Sequence, residues 1–305
     1  MAPLRPWVVR ALSGSYHCGR IAHQTVGCYK TARTTEGMMF VQSFGSGSCG
    51  NALLVEHGDA SLLVDCGLSP RNLGKALSTR GTRLERLDAI LLTHEHDDHV
   101  RGLAAARNHR VPLIASEGTA LALGLPRSLV QHVLFHEPIV CAGLEIQAIA
   151  TSHDAAQPCG YSISDGTARV TLLTDLGKTS DACAELMAGS QLIVIEANHD
   201  LQMLKSGPYP EHLKRRVLSA LGHLSNDDCG AYLVRCLGAG SSSRTIWLAH
   251  LSAANNRPSL AVRAVQQKLV SSRFPHRISA LPRREIGPTW QPMGLTSVAQ
   301  LGLFD

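Results

Sequence analysis

Three histidines and three acidic residues stand together in one short segment, His94-Glu95-His96-Asp97-Asp98-His99. The segment follows the mainly apolar run Leu87–Leu92, a pattern that predicts a buried strand ending in a polar loop. Side chains two residues apart point the same way along extended backbone, so His94 and His96 can bind one metal ion together. Asp98 and His99, where the chain turns into a helix, can face a second ion. Imidazole and carboxylate are the ligands expected for Zn or Mn, and a merely solvated polar loop explains this spacing poorly.

The pattern of apolar residues between Met39 and about residue 290 predicts one α/β domain. Short β-type runs dominate its first half, and strands alternate with helices in its second half, as in layered α/β folds. The predicted strands are Phe40–Phe44, Ala52–Val55, Leu62–Asp65, Leu87–Leu92, Val111–Ala115, Val133–Phe135, Leu144–Ala150, Gly160–Ile163, Val170–Thr174, Leu192–Glu196 and Thr245–Ala249. The predicted helices are Ser69–Thr79, Val100–Arg107, Asp181–Met187, Glu211–Leu221, Asn226–Leu237 and Ser259–Val270.

Residues 1–37 differ in composition from the rest of the chain. No Asp or Glu occurs before Glu36, although several arginines do. This composition is similar to that of a transit peptide, and a translated stretch upstream of a true start at Met38 or Met39 is the competing interpretation. Under either interpretation we expect a poorly ordered N-terminal extension over residues 1–37 and a folded domain over residues 38–305.

Bulk properties bound the class of protein. The net charge of +5 suits a polyanionic partner without identifying one. The nine cysteines are odd in number and scattered, which favours reduced thiols in a cytoplasmic protein over a disulfide framework. No stretch approaches the roughly 18 uninterrupted apolar residues that a membrane helix needs, so we expect no membrane partner.

Five motifs occur along the chain in the order typical of one superfamily. They are Val64-Asp65-Cys66-Gly67, Thr93–His99, Thr151-Ser152-His153-Asp154, Leu173-Thr174-Asp175-Leu176-Gly177 and Leu248-Ala249-His250-Leu251-Ser252. The second matches the HxHxDH signature, and together the motifs resemble those of the metallo-β-lactamase superfamily. The resemblance covers about Phe40 to Trp290 and implies a four-layer αββα sandwich. It also implies that residues 38–305 form a metallo-β-lactamase-fold hydrolase domain.

Further motifs bring the chain closest to the YycJ/WalJ-like branch, whose compact members are linked to DNA exonuclease activity. They are Ser46-Gly47-Ser48-Cys49-Gly50-Asn51, Glu196-Ala197-Asn198-His199-Asp200, Leu213-Lys214-Arg215-Arg216, Gly222-His223-Leu224-Ser225-Asn226 and Leu251-Ser252-Ala253-Ala254-Asn255-Asn256.

The resemblance implies a centre of two divalent ions, Zn or Mn. Its implied ligands are three residues for one ion, three for the other and one that bridges both: His94, His96 and His153; Asp98, His99 and His250; and Asp175. His153, Asp175 and His250 each follow a predicted strand, where side chains can converge at one rim of a sheet. Asp65 is expected to support the ligating histidines, because such imidazoles usually donate their other N–H to a carboxylate or carbonyl.

Glu196 and His223 decide the expected reaction. In the superfamily's nucleases a Glu–His pair in this chain order is implicated in protonating the leaving group. Two metals would hold the attacking hydroxide, with Asp98 as a further catalytic residue at the metals. His223 could instead be a helix-capping or core histidine, and His199 could line the site or cap the helix that follows Asp200.

The leading hypothesis is therefore a phosphodiesterase acting on nucleic acid, specifically a 5′→3′ DNA exonuclease. RNA-processing relatives carry a large inserted domain after the Glu-bearing strand. The short segment between Glu196 and His223 leaves no room for one, so a more open site is expected. The alternatives are hydrolysis of a small thioester, lactone or β-lactam, which needs no Glu–His donor, and a non-catalytic module stabilised by metal.

Several polar residues stay ambiguous. Lys205, Lys214, Arg215 and Arg216 could steer a phosphate backbone or form a solvated helix face. The loop 45–51 could bind a phosphate through its backbone N–H groups or be a plain hairpin turn. The histidines that match no motif are assigned structural roles: His109, His132, His136, His212 and His276.

Overall fold

A computed structural model describes residues 37–237, 242–272 and 274–292 of this chain. The predicted N-terminal extension lies outside the described residues, apart from Gly37. No helix of the described part is long and apolar enough to cross a membrane.

Two seven-stranded sheets form the centre of the fold. The first has the order β14-β1-β2-β3-β4-β5-β6, with strands Phe40–Gly45 (β1), Ala52–His57 (β2), Ala60–Val64 (β3), Ala89–Leu91 (β4), Leu113–Ala115 (β5), Val130–His132 (β6) and Thr289–Trp290 (β14). The second has the order β13-β12-β11-β10-β9-β8-β7, with strands Ile139–Cys141 (β7), Leu144–Ala150 (β8), Cys159–Ser164 (β9), Arg169–Leu173 (β10), Leu192–Glu196 (β11), Thr245–Ala249 (β12) and Arg277–Ala280 (β13).

Each sheet is antiparallel in one half and parallel in the other. In the first sheet β14, β1, β2 and β3 pair antiparallel, and β3 to β6 pair parallel. In the second sheet β10 to β13 are parallel, and β7 to β10 are antiparallel. The carboxyl ends of parallel strands meet at one edge of a sheet, where ligand-binding loops collect. Each sheet therefore offers such an edge to the loops that follow its parallel strands.

Helices cover the outer face of both sheets. The helices are Pro70–Ser78 (α1), Asp97–Val100 (α2), Leu103–Asn108 (α3), Glu117–Ala122 (α4), Asp181–Ala188 (α5), Leu201–Ser206 (α6), Glu211–Val217 (α7), Asn226–Leu237 (α8) and Pro258–Leu269 (α9). Apolar residues of α1, α3 and α4 share one buried cluster with the first sheet, and those of α5, α8 and α9 share another with the second. A third cluster, which includes Val41, Leu62, Ile146 and Val194, lies between the sheets. The four-layer αββα sandwich is confirmed.

Helix α1 follows the local pattern that predicted it. Ser69 caps its amino end by accepting a hydrogen bond from the backbone N–H of Asn72, and Pro70 occupies the first turn, where its missing N–H costs nothing. Leu73, Ala76 and Leu77 are buried against the sheet. Capping and helical periodicity agree here, so the sequence defines both ends of the helix.

Three element predictions were wrong. The helix expected over Val100–Arg107 is two helices, α2 beginning inside the histidine cluster and α3 starting after Gly102. The helix is interrupted at Gly102, where the backbone approaches Cys66 closely. The N–H of Gly102 donates to Cys66 O, and a Cβ at Gly102 would lie 2.8 Å from that oxygen. The strand expected over Val133–Phe135 is absent from the described structure, and the strand β6 ends just before it, at His132. The basic helix ends at Val217 rather than Leu221.

Candidate metal centre

Polar side chains collect where the two sheets present the carboxyl ends of their strands. The histidine cluster follows β4, and Asp65 follows β3 in the same sheet. From the second sheet, His153 follows β8, Asp175 follows β10, and His250 follows β12. The loops of both sheets therefore contribute to one site at the seam between them.

Three imidazoles form the first group. His96 Nδ1 lies 3.1 Å from His94 Nε2 and 3.3 Å from His153 Nε2. The other nitrogen of His153, Nδ1, is 3.2 Å from Gly222 O, which fixes the proton there and leaves Nε2 bare. Burial, reinforced by the neighbouring His99, holds the pKa of His94 well below its usual range, so this ring is neutral. Ring nitrogens that face one another within 4.8 Å fit a metal ion better than mutual hydrogen bonds.

Asp98, His99 and His250 form the second group, which also satisfies the spacing of a metal site. Asp98 Oδ2 lies 3.3 Å from His250 Nε2 and 3.8 Å from His99 Nε2. Asp65 contacts His99 Nδ1 at 2.7 Å, so the opposite nitrogen of His99 is turned into the site. Asp65 also accepts hydrogen bonds from the backbone N–H and hydroxyl of Thr93. Asp65 therefore lies where it can orient His99 through Nδ1.

Asp175 lies between the two groups. Its Oδ2 is 3.0 Å from His99 Nε2 and its Oδ1 is 3.7 Å from His153 Nε2. Burial disfavours the charged carboxylate, but His250 and His99 outweigh burial and hold the pKa of Asp175 well below its usual range. Oδ1 also lies 3.4 Å from His250 Nδ1, so this buried, ionised carboxylate contacts imidazoles of both groups and could be shared between two ions.

Glu196 is buried and makes contacts with both of its oxygens. Oε1 lies 2.9 Å from Nδ1 of His223 and also 2.9 Å from Nδ1 of His250. Oε2 accepts hydrogen bonds from the backbone N–H groups of Leu176 and Leu224. The distances would also allow Glu196 and His223 to join a metal site with Asp175 and His250. The four hydrogen-bonding contacts of Glu196 favour a positioning role instead, because they occupy the acceptor sites of the carboxylate.

The pKa values of this pair favour an ion pair. Burial opposes protonation of His223, but the Glu196 carboxylate and its hydrogen bond outweigh burial and raise the pKa of His223 above its usual range. Burial raises the pKa of Glu196, and His223 more than offsets this, lowering it to about 2. The side chain of Glu196 is fully buried and that of His223 is 15% exposed, so only the imidazole of the pair is accessible to solvent.

Two residues that support the site were missed by sequence reasoning. Ser46 Oγ accepts a hydrogen bond from the backbone N–H of His250. Asn51 Nδ2 lies 3.0 Å from His99 Nε2 and 3.4 Å from Asp98 Oδ2, while its Oδ1 accepts from Gly47 N. Both residues belong to the loop 45–51, which was interpreted either as a phosphate cradle or as a hairpin turn. Its run of Gly, Ser and Asn carried a motif signal but gave no indication of which side chains face the site.

Backbone conformation marks three of the site residues. Asp65, Asp175 and His250 have φ values of 59°, 54° and 54°, in the left-handed region. Asp and His occur there several times more often than most residues but still at a cost in conformational energy. In each case the turn comes within two residues of the end of a strand and directs the side chain across the rim.

The remaining candidates lie outside the two metal groups. His199 is buried and neither ring nitrogen has a hydrogen-bond partner, and the cap of α6 is Asp200, which accepts from Met203 N. On α7, Arg216 pairs with Asp154 at 2.7 Å and Lys214 pairs with Glu211 at 3.1 Å. The five histidines assigned structural roles do not join a metal-type cluster in the described part of the chain.

Comparison with known proteins places this arrangement in a family. A profile described as a beta-lactamase superfamily domain matches residues 61–243. The exodeoxyribonuclease WalJ of Streptococcus pneumoniae is 39% identical over 224 residues, which cover 71% of this chain and 82% of that protein. The chain belongs to the WalJ/YycJ branch of the metallo-β-lactamase superfamily. Exodeoxyribonuclease YycJ of Bacillus anthracis is 34% identical over 242 residues, covering 75% of this chain and 88% of that protein.

Solved structures agree on the fold. The metallo-β-lactamase fold protein YhfI of Bacillus subtilis aligns with a TM-score of 0.62 and 20% identity, covering 84% of this chain and all of that chain. Zn²⁺-bound PqqB of Methylobacterium extorquens aligns with a TM-score of 0.60 and 16% identity over 83% of this chain and 99% of that one. Members of the superfamily bind divalent metals, and this chain is a metal-dependent hydrolase of that superfamily.

Proposed function

We propose that this WalJ/YycJ-branch hydrolase is a dinuclear phosphodiesterase that degrades DNA as a 5′→3′ exonuclease. The observation that carries the proposal is the buried Glu196–His223 pair beside the metal groups. Such a pair serves a reaction whose leaving alkoxide needs a proton, as in phosphodiester hydrolysis. The names of the relatives WalJ and YycJ, both exodeoxyribonucleases, support DNA as the substrate.

The proposed ligands are those that the two groups bring together. His94, His96 and His153 would hold one ion, Asp98, His99 and His250 would hold the other, and Asp175 would be shared between them. The mixed imidazole and carboxylate set suits Zn and Mn, and we propose that one of these occupies both positions. When bound, the ions supply an activated water nucleophile and stabilise charge on the phosphate.

The residues around the ions have separate tasks. Asp65 holds His99 in the tautomer that turns Nε2 inward. Asp98 lies at the edge of the second group, only partly buried, where it can also orient the nucleophile. Glu196 holds the Nδ1 proton of His223, so the imidazolium can deliver its Nε2 proton to the leaving oxygen. The Glu196 carboxylate raises the pKa of His223 and so favours the protonated ring.

The hydrolysis of a small thioester, lactone or β-lactam is not favoured. A thiolate leaves a thioester without a general acid, so a buried pair of this kind would have no task in that reaction. Lactones and β-lactams release an alkoxide or an amine that needs a proton, and they are disfavoured because the relatives WalJ and YycJ are exodeoxyribonucleases. A closed structural metal site is equally disfavoured, because the two groups together offer more ligands than one tetrahedral ion uses.

A side-by-side assay tests the proposal. The purified protein, loaded with Zn or with Mn, is incubated with DNA labelled at either end, RNA, bis(p-nitrophenyl) phosphate and a thioester. We expect DNA to be degraded with early release of the 5′ label. Elemental analysis should find about two ions per chain, and His96→Ala should lose one of them together with turnover. Turnover of the thioester without cleavage of DNA would overturn the proposal.

A further inference from the structure

Three arginines meet at the tip of the loop 45–51. Arg101 Nη1 donates a hydrogen bond to Cys49 O at 2.8 Å. Arg284 Nε lies 3.1 Å from Cys49 Sγ, and Arg283 Nη2 lies 3.7 Å from the same sulfur. Arg101 follows the histidine cluster, whereas Arg283 and Arg284 follow β13 from the other sheet. Distant parts of the chain therefore bring three guanidinium groups to one point, here called the arginine cluster.

The arginine cluster adjoins the metal centre through the loop. Ser46 binds the backbone of His250, and Asn51 contacts His99. Between them, Gly47 lies under Arg283, since a Cβ at Gly47 would be 3.4 Å from Arg283 Nε. One face of the loop thus supports the metal groups and its tip carries the positive charges.

The charge of the arginine cluster is largely uncompensated. Within residues 37–237, 242–272 and 274–292, Asp97 is the one acidic side chain at ion-pair distance, and it pairs with Arg101. Three guanidinium groups against one carboxylate leave two positive charges beside the site. Helix α7 differs in this respect, since Arg216 and Lys214 are both neutralised by acidic partners.

We propose that the arginine cluster is the subsite that binds the DNA backbone next to the scissile phosphate. This inference rests on the proposed function, because it assigns the path of the same substrate. A DNA strand carries one negative charge per nucleotide, and the planar guanidinium group matches a phosphate with two parallel N–H donors. A strand running from the metal centre over the tip of the loop would meet these donors at its flanking phosphates.

The test compares two variants with the same net charge. Arg283→Gln/Arg284→Gln removes two charges from the cluster. The control variant, Arg127→Gln/Arg263→Gln, removes two positive charges from exposed positions outside the cluster. Arg127 precedes β6, an edge strand of the first sheet, and Arg263 lies on α9. Binding of a phosphorothioate-linked single-stranded oligonucleotide, which keeps the charge and resists hydrolysis, is measured by fluorescence anisotropy at several salt concentrations.

We expect the cluster variant to weaken binding and to reduce the slope of log K against log salt by about 1.4, or about 0.7 for each lost contact. The matched control should keep the wild-type slope. For cleavage, kcat/KM should fall further for DNA than for bis(p-nitrophenyl) phosphate, which has no flanking phosphates. The single variant Arg284→Gln changes an exposed side chain and should show half the change in slope. It tests the cluster if the double variant has a lower melting temperature than the wild type.

Equal slopes for the cluster variant and the control would overturn the inference. Failure of the wild-type protein to cleave DNA would instead overturn the proposed function. The binding experiment separates these results, because the slopes are measured without turnover.

Discussion

The Oε1 atom of Glu196 contacts two imidazoles at once, His223 and His250. One of these histidines is the proposed proton donor and the other a proposed ligand. The position of the donor is therefore coupled to that of the metal through a single carboxylate. Backbone N–H groups hold the other oxygen, so the carboxylate cannot rotate without losing two hydrogen bonds.

His223→Ala should retain the metal content of the wild type, since His223 is not among the proposed ligands. Turnover of DNA should fall by about 10² to 10⁴, the usual cost of losing a general acid. The loss should be smaller for bis(p-nitrophenyl) phosphate, because p-nitrophenolate leaves without a proton. Steady-state kinetics and elemental analysis check both points. An equal loss on the two substrates would reject proton donation, and loss of metal would make His223 a ligand.

Glu196→Gln should shift the pH dependence of kcat. The carboxylate raises the pKa of His223, so the protonated donor persists to higher pH and is lost as pH rises through that value. Without the negative charge, the basic limb of the profile should move to lower pH. The profile for bis(p-nitrophenyl) phosphate provides the control, because it depends little on the donor. An unchanged basic limb on DNA would show that another group titrates there.

Sequence reasoning found the ionisable residues of the site better than the neutral ones. His94, His96 and Asp98 lie in a spacing that few structural loops need, and each of the later motifs ends a strand. Ser46 and Asn51 gave no such signal, because a polar residue in a glycine-rich loop is ordinary there. Their contacts depend on how the loop folds against His250 and His99, which the spacing of residues does not encode.

At the scale of elements, close backbone contact between the loops after β3 and β4 holds the histidine cluster in place. Cys66 N donates to His99 O, and a Cβ at Gly67 would lie only 1.6 Å from Asp98 O. A side chain of any size at this position would push the Asp98 segment away from the site.

Gly67→Ala is therefore expected to destabilise the protein by at least about 2 kcal/mol and to reduce turnover, because Asp98 must move. Gly74→Ala is the matched control. Gly74 is an exposed position of α1, and a Cβ there would meet nothing within 4 Å. That change should stabilise the helix by up to about 1 kcal/mol. Urea denaturation measures both, and a Gly67→Ala variant as stable as the wild type would contradict the described contact.

The elements themselves were predictable where local signals agreed. Helix α1 has both a cap and a periodic apolar face, whereas α4 is short and includes Gly118, so nothing in its sequence stood out. The division of α2 from α3 depends on Gly102 approaching Cys66, a contact between segments far apart in sequence. Long-range contacts of this kind decide boundaries that propensity alone misplaces.

At the scale of the whole molecule, the proposed ligands come from both sheets. The first sheet supplies the histidine cluster and the second supplies His153, Asp175 and His250. Bound ions would therefore connect two layers that otherwise meet through the apolar cluster between the sheets.

Removal of metal by a chelator should lower the melting temperature by roughly 5–10 °C, as expected when a ligand at about 100 times its Kd is withdrawn. Calorimetry should show one transition with and without metal, because the two sheets share the apolar cluster between them. Addition of Zn or Mn should restore the original value. His109→Ala, outside the metal groups, should respond to the chelator as the wild type does. An equal melting temperature with and without the chelator would contradict a metal centre shared by the two sheets.

The N-terminal extension gives a further prediction at this scale. Residues 1–37 lack the periodicity and every motif of the domain, so a chain beginning at Met38 should fold and turn over substrate almost as the longer chain does. Solubility, melting temperature and kcat/KM are compared between the two lengths. An insoluble or inactive shorter chain would make the segment part of the domain.

The left-handed turns at Asp65, Asp175 and His250 have a consequence for anyone who rebuilds this centre elsewhere. A strand that ends in ordinary extended geometry points its last side chains above and below the sheet, not across its edge. If the histidines and carboxylates were copied onto another pair of sheets without these turns, their side chains would point above or below the sheet and not toward the centre. The transferable unit is the ligand together with the unfavourable turn that aims it and the neighbours that hold that turn in place.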